Sequence, residues 1–192
     1  MEHKAWHHFL TITQHKLLVM QNCFRVGLFK QGLLHDLSKY SPAEFLTGVH
    51  YYQGDRSPNA AEREEKGYSS AWLHHKGRNK HHFEYWIDYS MQALPGGMAP
   101  VPMPDRYIAE MIMDRIAASK VYMGDKYTDR SPLDYYYRGT DKAPIHPKTK
   151  AKLLYVLEML AEQGEEKTFQ FIKEELVQHK RCMDWHQLEK AE

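Results

Sequence analysis

The sequence lacks any stretch approaching the roughly 20 apolar residues a membrane span needs. Cysteine is nearly absent. Cys23 and Cys182 form neither a C-x-x-C motif nor a disulfide framework, which fits free thiols in a reducing cytosol. A charge bias is missing too. The 26 Lys and Arg residues against 25 Asp and Glu leave a formal net charge of +1, so there is no general pull toward nucleic acid or an acidic membrane surface. Met1 to Lys16 carries histidines and lysines but no unbroken apolar core, and so does not read as a signal peptide. No internal repeat or low-complexity tract is visible. The expectation is a soluble, cytoplasmic protein with no membrane partner; a homo-oligomer stays open.

What is present is the material of one folded domain. The chain has 192 residues, 42% of them apolar, with 4 Trp and 13 Tyr, enough to bury a core and to argue against disorder. It also has 13 histidines, and histidine is the commonest metal ligand.

Helical periodicity dominates, so the expected fold is all-α. A first long helix is predicted from about Trp6 to Phe29, and a second centred on Leu33, Leu34 and Leu37 that stops near Tyr40. Ser41-Pro42-Ala43-Glu44 is a helix start with the residues of a capping box. Gln53 to Gly67 reads as a loop with at most one helical turn. A helix ends near His75, the Lys76-Gly77-Arg78-Asn79 segment turns, and another helix is predicted from Lys80 to Leu94, stopped by Pro95-Gly96-Gly97. Pro100, Pro102 and Pro104 imply an extended segment. Further helices are predicted from Asp105 to Met123, from Ser131-Pro132, and over Pro147–Gln163 and Glu165–His179, with Gly164 between the last two.

The chemistry starts at Leu33-Leu34-His35-Asp36-Leu37. Two ionisable groups within an apolar helix are costly to bury unless they are paired or bind a metal, and neighbours about 100° apart can reach one ion. His15 lies in a preceding helix that can fold back through Gly27 and Gly32. Asp114 faces Met111, Ala117, Ala118 and Val121 at helical spacing; a buried structural pair with Arg or His is the alternative. His82 shares an i, i+3, i+4, i+7 stripe with Tyr85, Trp86 and Tyr89. That makes it either a core histidine bonded to a tyrosine or a substrate or second-metal group. His3, His7, His8, His146, His179 and His186 read as surface residues, His50 as an ordinary helix end or a weaker ligand, and Tyr135-Tyr136-Tyr137 as packing or as loop aromatics able to stack on a base.

The order His15, His35-Asp36, Asp114 resembles the HD superfamily of metal-dependent phosphohydrolases, with His35-Asp36-Leu37-Ser38-Lys39 similar to its HD-x-x-K core. More narrowly, His35 to Pro42 and His74 to His82 resemble an uncharacterised bacterial and phage family of that kind. The resemblance covers most of residues 6–125 and implies an HD-type core, with 126–192 as a C-terminal helical extension. It implies His15, His35, Asp36 and Asp114 as ligands of a divalent transition metal (Mn, Fe, Co, Ni or Zn). Asp36 and Lys39 would be the catalytic residues, with Lys39 meeting a substrate phosphate. Two departures stand out: Ser38 replaces the usual Gly, and a second histidine cluster is present. By likeness to two-metal members, His74 is the better second ligand and His75 the next, so one or two ions are expected. Arg78, His75 and His82 complete the expected substrate contacts. A phosphohydrolase acting on a nucleotide or other small phosphate ester is the first reading; a di-iron oxygenase or an inert metal- or ligand-binding protein are the others.

Overall fold

The computed structural model describes residues 2–91, 97–139, 142–180 and 185. Cys182, His186 and the expected helix stop at Pro95-Gly96 lie outside the described residues. The architecture is all-α: α1 (Glu2–Val26), α2 (Phe29–Leu34), α3 (Pro42–Tyr51), α4 (Pro58–Lys66), α5 (Ser70–Lys76), α6 (Asp105–Met123), α7 (Ser131–Tyr137) and α8 (Pro147–Phe171), with one small hairpin of β1 (Ile87–Tyr89) and β2 (Met98–Pro100).

Helix α6 is the centre. Ile108, Ala109, Ile112, Met113, Ile116 and Ala117 are all buried, against Val19, Cys23 and Val26 of α1 and Leu153, Val156, Leu157 and Leu160 of α8 in one core cluster. Near-continuous burial around a helix requires partners on several sides, which α1 and α8 provide. The C-terminal helix α8 therefore supplies one wall of the core. Among the described residues no helix is long and apolar enough to cross a membrane.

Punctuation residues behave as the sequence implies. Gly27 takes φ +89°, the Gly27 N–H bonds to the Phe24 carbonyl at 3.1 Å and the Leu28 N–H to the Cys23 carbonyl at 2.8 Å, a Schellman ending that turns the chain back onto α1. Pro42, Pro58, Pro132 and Pro147 open helices, and Gly164 at φ 77° breaks helical geometry inside α8.

Four expectations are corrected. Helix α2 stops at Leu34, before the His-Asp pair, and Leu33, Leu34 and Leu37 are exposed. Gln53–Gly67 contains a full helix, α4, because its buried Ala61 and Glu62 face α5 and its surroundings. The predicted Lys80–Leu94 helix is instead a turn, a 3-10 segment (Phe83–Trp86) and β1. Its aromatic and β-branched run suits a strand, and it finds an extended partner that ends on the first of the three prolines, pairing Ile87 with Pro100 and Tyr89 with Met98. His82 thus has extended backbone, φ −88° and ψ 128°, and the helical stripe with Tyr85, Trp86 and Tyr89 does not form. Finally, His8 is buried rather than on the surface, packed by Phe45 and Tyr52, and burial lowers its pKa to about 4.

Candidate metal centre

The centre begins with an interrupted helix. As α2 ends, its freed carbonyls are taken by Lys16, whose Nζ donates to the Leu33 oxygen at 2.8 Å and the His35 oxygen at 2.9 Å. Asp36 then adopts a left-handed conformation, φ 54° and ψ 24°, which aspartate tolerates better than bulky residues. A 3-10 turn (Leu37–Tyr40) follows. This kink sends the leucines outward while burying His35 and Asp36 completely. The two side chains meet because of the turn and not because of helical spacing.

Two groups of ligand-type atoms converge on Asp36. On one side, Asp36 Oδ2 lies 3.6 Å from His15 Nε2 and 3.3 Å from His35 Nε2, while Asp114 Oδ1 lies 2.9 and 3.5 Å from the same two nitrogens. On the other, Asp36 Oδ1 lies 3.3 Å from His75 Nε2 and 3.4 Å from His81 Nε2, and His75 Nε2 is 2.9 Å from His82 Nε2. Within each group the candidate atoms lie within 4.8 Å of one another. His15 Nε2, His35 Nε2, His81 Nε2 and both Asp36 oxygens are buried without a well-aligned hydrogen-bond partner; Lys39 Nζ alone approaches Asp36 Oδ2 closely, as an ion pair at 2.6 Å. Buried polar atoms are nearly always satisfied. A cluster of exceptions, all aimed at two small regions, fits divalent cations: imidazole and carboxylate are the donor set of Mn, Fe, Co, Ni and Zn.

Outside these groups sit two carboxylates that orient the rings. Glu110 Oε1 is 3.0 Å from His35 Nδ1 and 3.2 Å from His81 Nδ1. Glu44 reaches His74 Nδ1 at 2.6 Å and His75 Nδ1 at 2.8 Å, so its side chain does not complete the expected capping box. Carboxylates on Nδ1 fix a tautomer with Nε2 free to coordinate. Ser38 sets its Oγ 3.2 Å from His75 Nδ1 and accepts from Asn79 at 2.8 Å, tying the two halves together.

The electrostatics follow from burial of opposite charges. Burial opposes ionisation of Asp36, yet His35, Lys39 and His75 hold it well below the ordinary carboxylate range. Asp114 is likewise held down against burial by His15 and His35. His35 stays well above its usual pKa because Asp36, Asp114 and Glu110 outweigh desolvation. His82 goes the other way: burial and the neighbouring His81 and His75 keep it neutral.

Placement of the expected residues is uneven. His15, His35, Asp36 and Asp114 come together. His75 and His82, expected as second-metal ligands or substrate contacts, join Asp36 as a second group, together with His81, which sequence reasoning passed over. His74 stays outside both groups, held by Glu44. Arg78 is exposed and donates to the His74 carbonyl at 3.1 Å, closing the end of α5 rather than meeting the cluster. His50 is exposed as well. The missed Glu110 had a signal, since it precedes Asp114 by four residues and so shares its helix face. Arg115, next to Asp114, was also missed; its Nη1 is buried without a hydrogen-bond partner.

Residues 4–159 match the profile of a family described as of unknown function, DUF5662. No curated protein and no solved structure matches the chain.

Proposed function

We propose that this chain, which belongs to the DUF5662 family of unknown function, is a metal-dependent phosphohydrolase with room for two divalent ions, acting on a nucleotide or another small phosphate ester. The observation that carries the reading is the set of buried imidazole nitrogens and carboxylate oxygens facing each other around Asp36. His15, His35, Asp36 and Asp114 would hold one ion, and Asp36, His75, His81 and His82 the other. Bound there, such ions supply Lewis-acid polarisation of a phosphoryl oxygen and lower the pKa of a coordinated water toward 7.

The chain's own residues supply the rest. Asp36 presents one oxygen to each group, so a single carboxylate ties the two together. Glu110 aligns one imidazole from each set. Lys39, whose charge Asp36 and Asp114 stabilise against burial, is a permanent cation beside the cluster. It can balance charge spread over phosphoryl oxygens. The resemblance to HD-type hydrolases points the same way.

The many imidazoles around one shared carboxylate also suit two irons, which keeps an oxygenase reading in view; oxygen uptake by an iron-loaded sample separates it. The decisive experiment is metal analysis of protein made without a histidine tag, followed by a panel of phosphate esters. Asp36→Ala should lose both metal and turnover. Lys39→Ala should keep metal and lose about 10²-fold or more in kcat/KM. Stoichiometric metal with no ester turned over would remove the hydrolase reading.

A further inference from the structure

Helix α1 has an outward face that the described residues leave largely exposed, with α2 and Tyr40 packed along one flank. Trp6, Leu10, Thr13, Leu17, Met20 and Phe24 recur along it at alternating steps of four and three residues, the 3.5-residue repeat of a helix seam that packs against another helix. The core-facing side of α1 is a different one, carrying Ile12, Val19, Cys23 and Val26. Alongside the outer stripe runs α2 with its following turn: the Phe24 and Phe29 rings lie 5.3 Å apart, and Phe9 meets Tyr40 at 6.0 Å. Phe29, Leu33, Leu34 and Leu37 extend the apolar surface there. Trp6, Phe9, Leu10, Leu17 and Phe24 of α1 and these four residues are each between 37% and 60% exposed.

We infer that this α1–α2 face is the docking surface for a second copy of the chain. Size decides first. At roughly 150–200 Å² for each large apolar side chain, the exposed fractions amount to roughly 700–900 Å². That exceeds the roughly 300–600 Å² of the largest patch on an ordinary monomer and matches the roughly 800 Å² per partner of a standard interface.

Charge decides second. Between His3 and His35 the sequence contains no Asp or Glu, and four cations: Lys4, Lys16, Arg25 and Lys30. Lys16 is engaged with backbone carbonyls, and Arg25 pairs with Glu165 and Glu166. Lys4 and Lys30 are left, toward opposite ends of the seam. An uncharged centre suits a protein interface, whereas a face built for anionic lipid carries a row of free Lys and Arg. The docked copy would also back the turn holding His35 and Asp36, whose outer side, Leu33, Leu34 and Leu37, otherwise faces solvent.

Sedimentation of the full-length protein from nanomolar to tens of micromolar tests this. The expected result is a mass of two copies. The doubly substituted Leu17→Glu/Leu33→Glu protein should sediment as one copy with unchanged helical circular dichroism. Phe29→Glu, a separate single change at an exposed ring, should weaken association at least tenfold. A wild-type monomer across the whole range overturns the inference, and so does a charge-substituted protein that stays dimeric. Co-flotation of monomeric protein with phosphatidylserine-containing vesicles would reassign the face to a lipid surface and overturn it equally.

Discussion

Glu110 shows how much one side chain can organise. It lies on the buried stripe of α6, one turn before Asp114, and a single oxygen faces the Nδ1 atoms of His35 and His81. These belong to different ligand groups, so losing the charge should loosen both. Glu110→Gln keeps the shape and removes the charge, and is expected to weaken metal binding by about 10–100-fold. Calorimetric titration with manganese or zinc reads this directly; unchanged affinity would show that the carboxylate is only packing. The same titration should reveal proton release. His35 and His75 hold their protons more firmly than ordinary histidines because Asp36 is beside them, and a metal can bind only the neutral rings. Affinity should therefore rise with pH through and above the usual histidine range, and the measured heat should change with the ionisation enthalpy of the buffer.

Helix α5, which delivers His75, is held at its N-terminus by α4. The fully buried Glu62 accepts hydrogen bonds from Ser69 Oγ and Ser70 Oγ, each at 2.6 Å, and from the Ala71 N–H at 3.4 Å. An anion at this end also complements the helix dipole. Although burial opposes its ionisation, those donors bring the Glu62 pKa down to about 2 from 4.5. A carboxyl depressed in the folded state stabilises above its unfolded pKa. The contribution is thus present above about pH 4.5 and is lost as pH falls toward about 2. Glu62→Ala is expected to cost about 1–3 kcal/mol in urea unfolding near neutral pH, a difference that shrinks on acidification. It should also weaken binding at the His75, His81 and His82 group more than at the His15 and Asp114 group. Equal loss at both would mean that α5 is not held through Glu62.

At the scale of the molecule, the centre is a seam between elements far apart in sequence: α1, the α2 turn, α5, the turn before β1, and α6. Closing it with ions should stabilise the whole fold, since only the folded state assembles both ligand groups. At a free metal concentration about 100 times Kd, mass action contributes about 2.7 kcal/mol per site. For a chain of this length that corresponds to a rise in Tm of about 5–10 °C. Differential scanning calorimetry of chelator-treated protein, with and without added metal, measures it. Asp36→Ala should show no such rise, and a wild-type Tm indifferent to every first-row divalent metal would sink the metal reading.

The sequence by itself determined the helical class, because the apolar period and the Pro and Gly punctuation at Gly27, Pro42, Pro147 and Gly164 are local and act on their own segment. It also marked His15, His35, Asp36 and Asp114, since ionisable groups set among apolar neighbours are conspicuous wherever they fall. Only the tertiary structure decided that His75 and not His74 turns toward Asp36, that His81 and His82 join it, and that Glu110 stands behind two rings. Those outcomes hang on the left-handed turn at Asp36, the turn after Lys76 and the hairpin that replaces a predicted helix. Such features have no periodic signature: each is selected by the packing and hydrogen bonds it completes with distant residues, so no local pattern announces them.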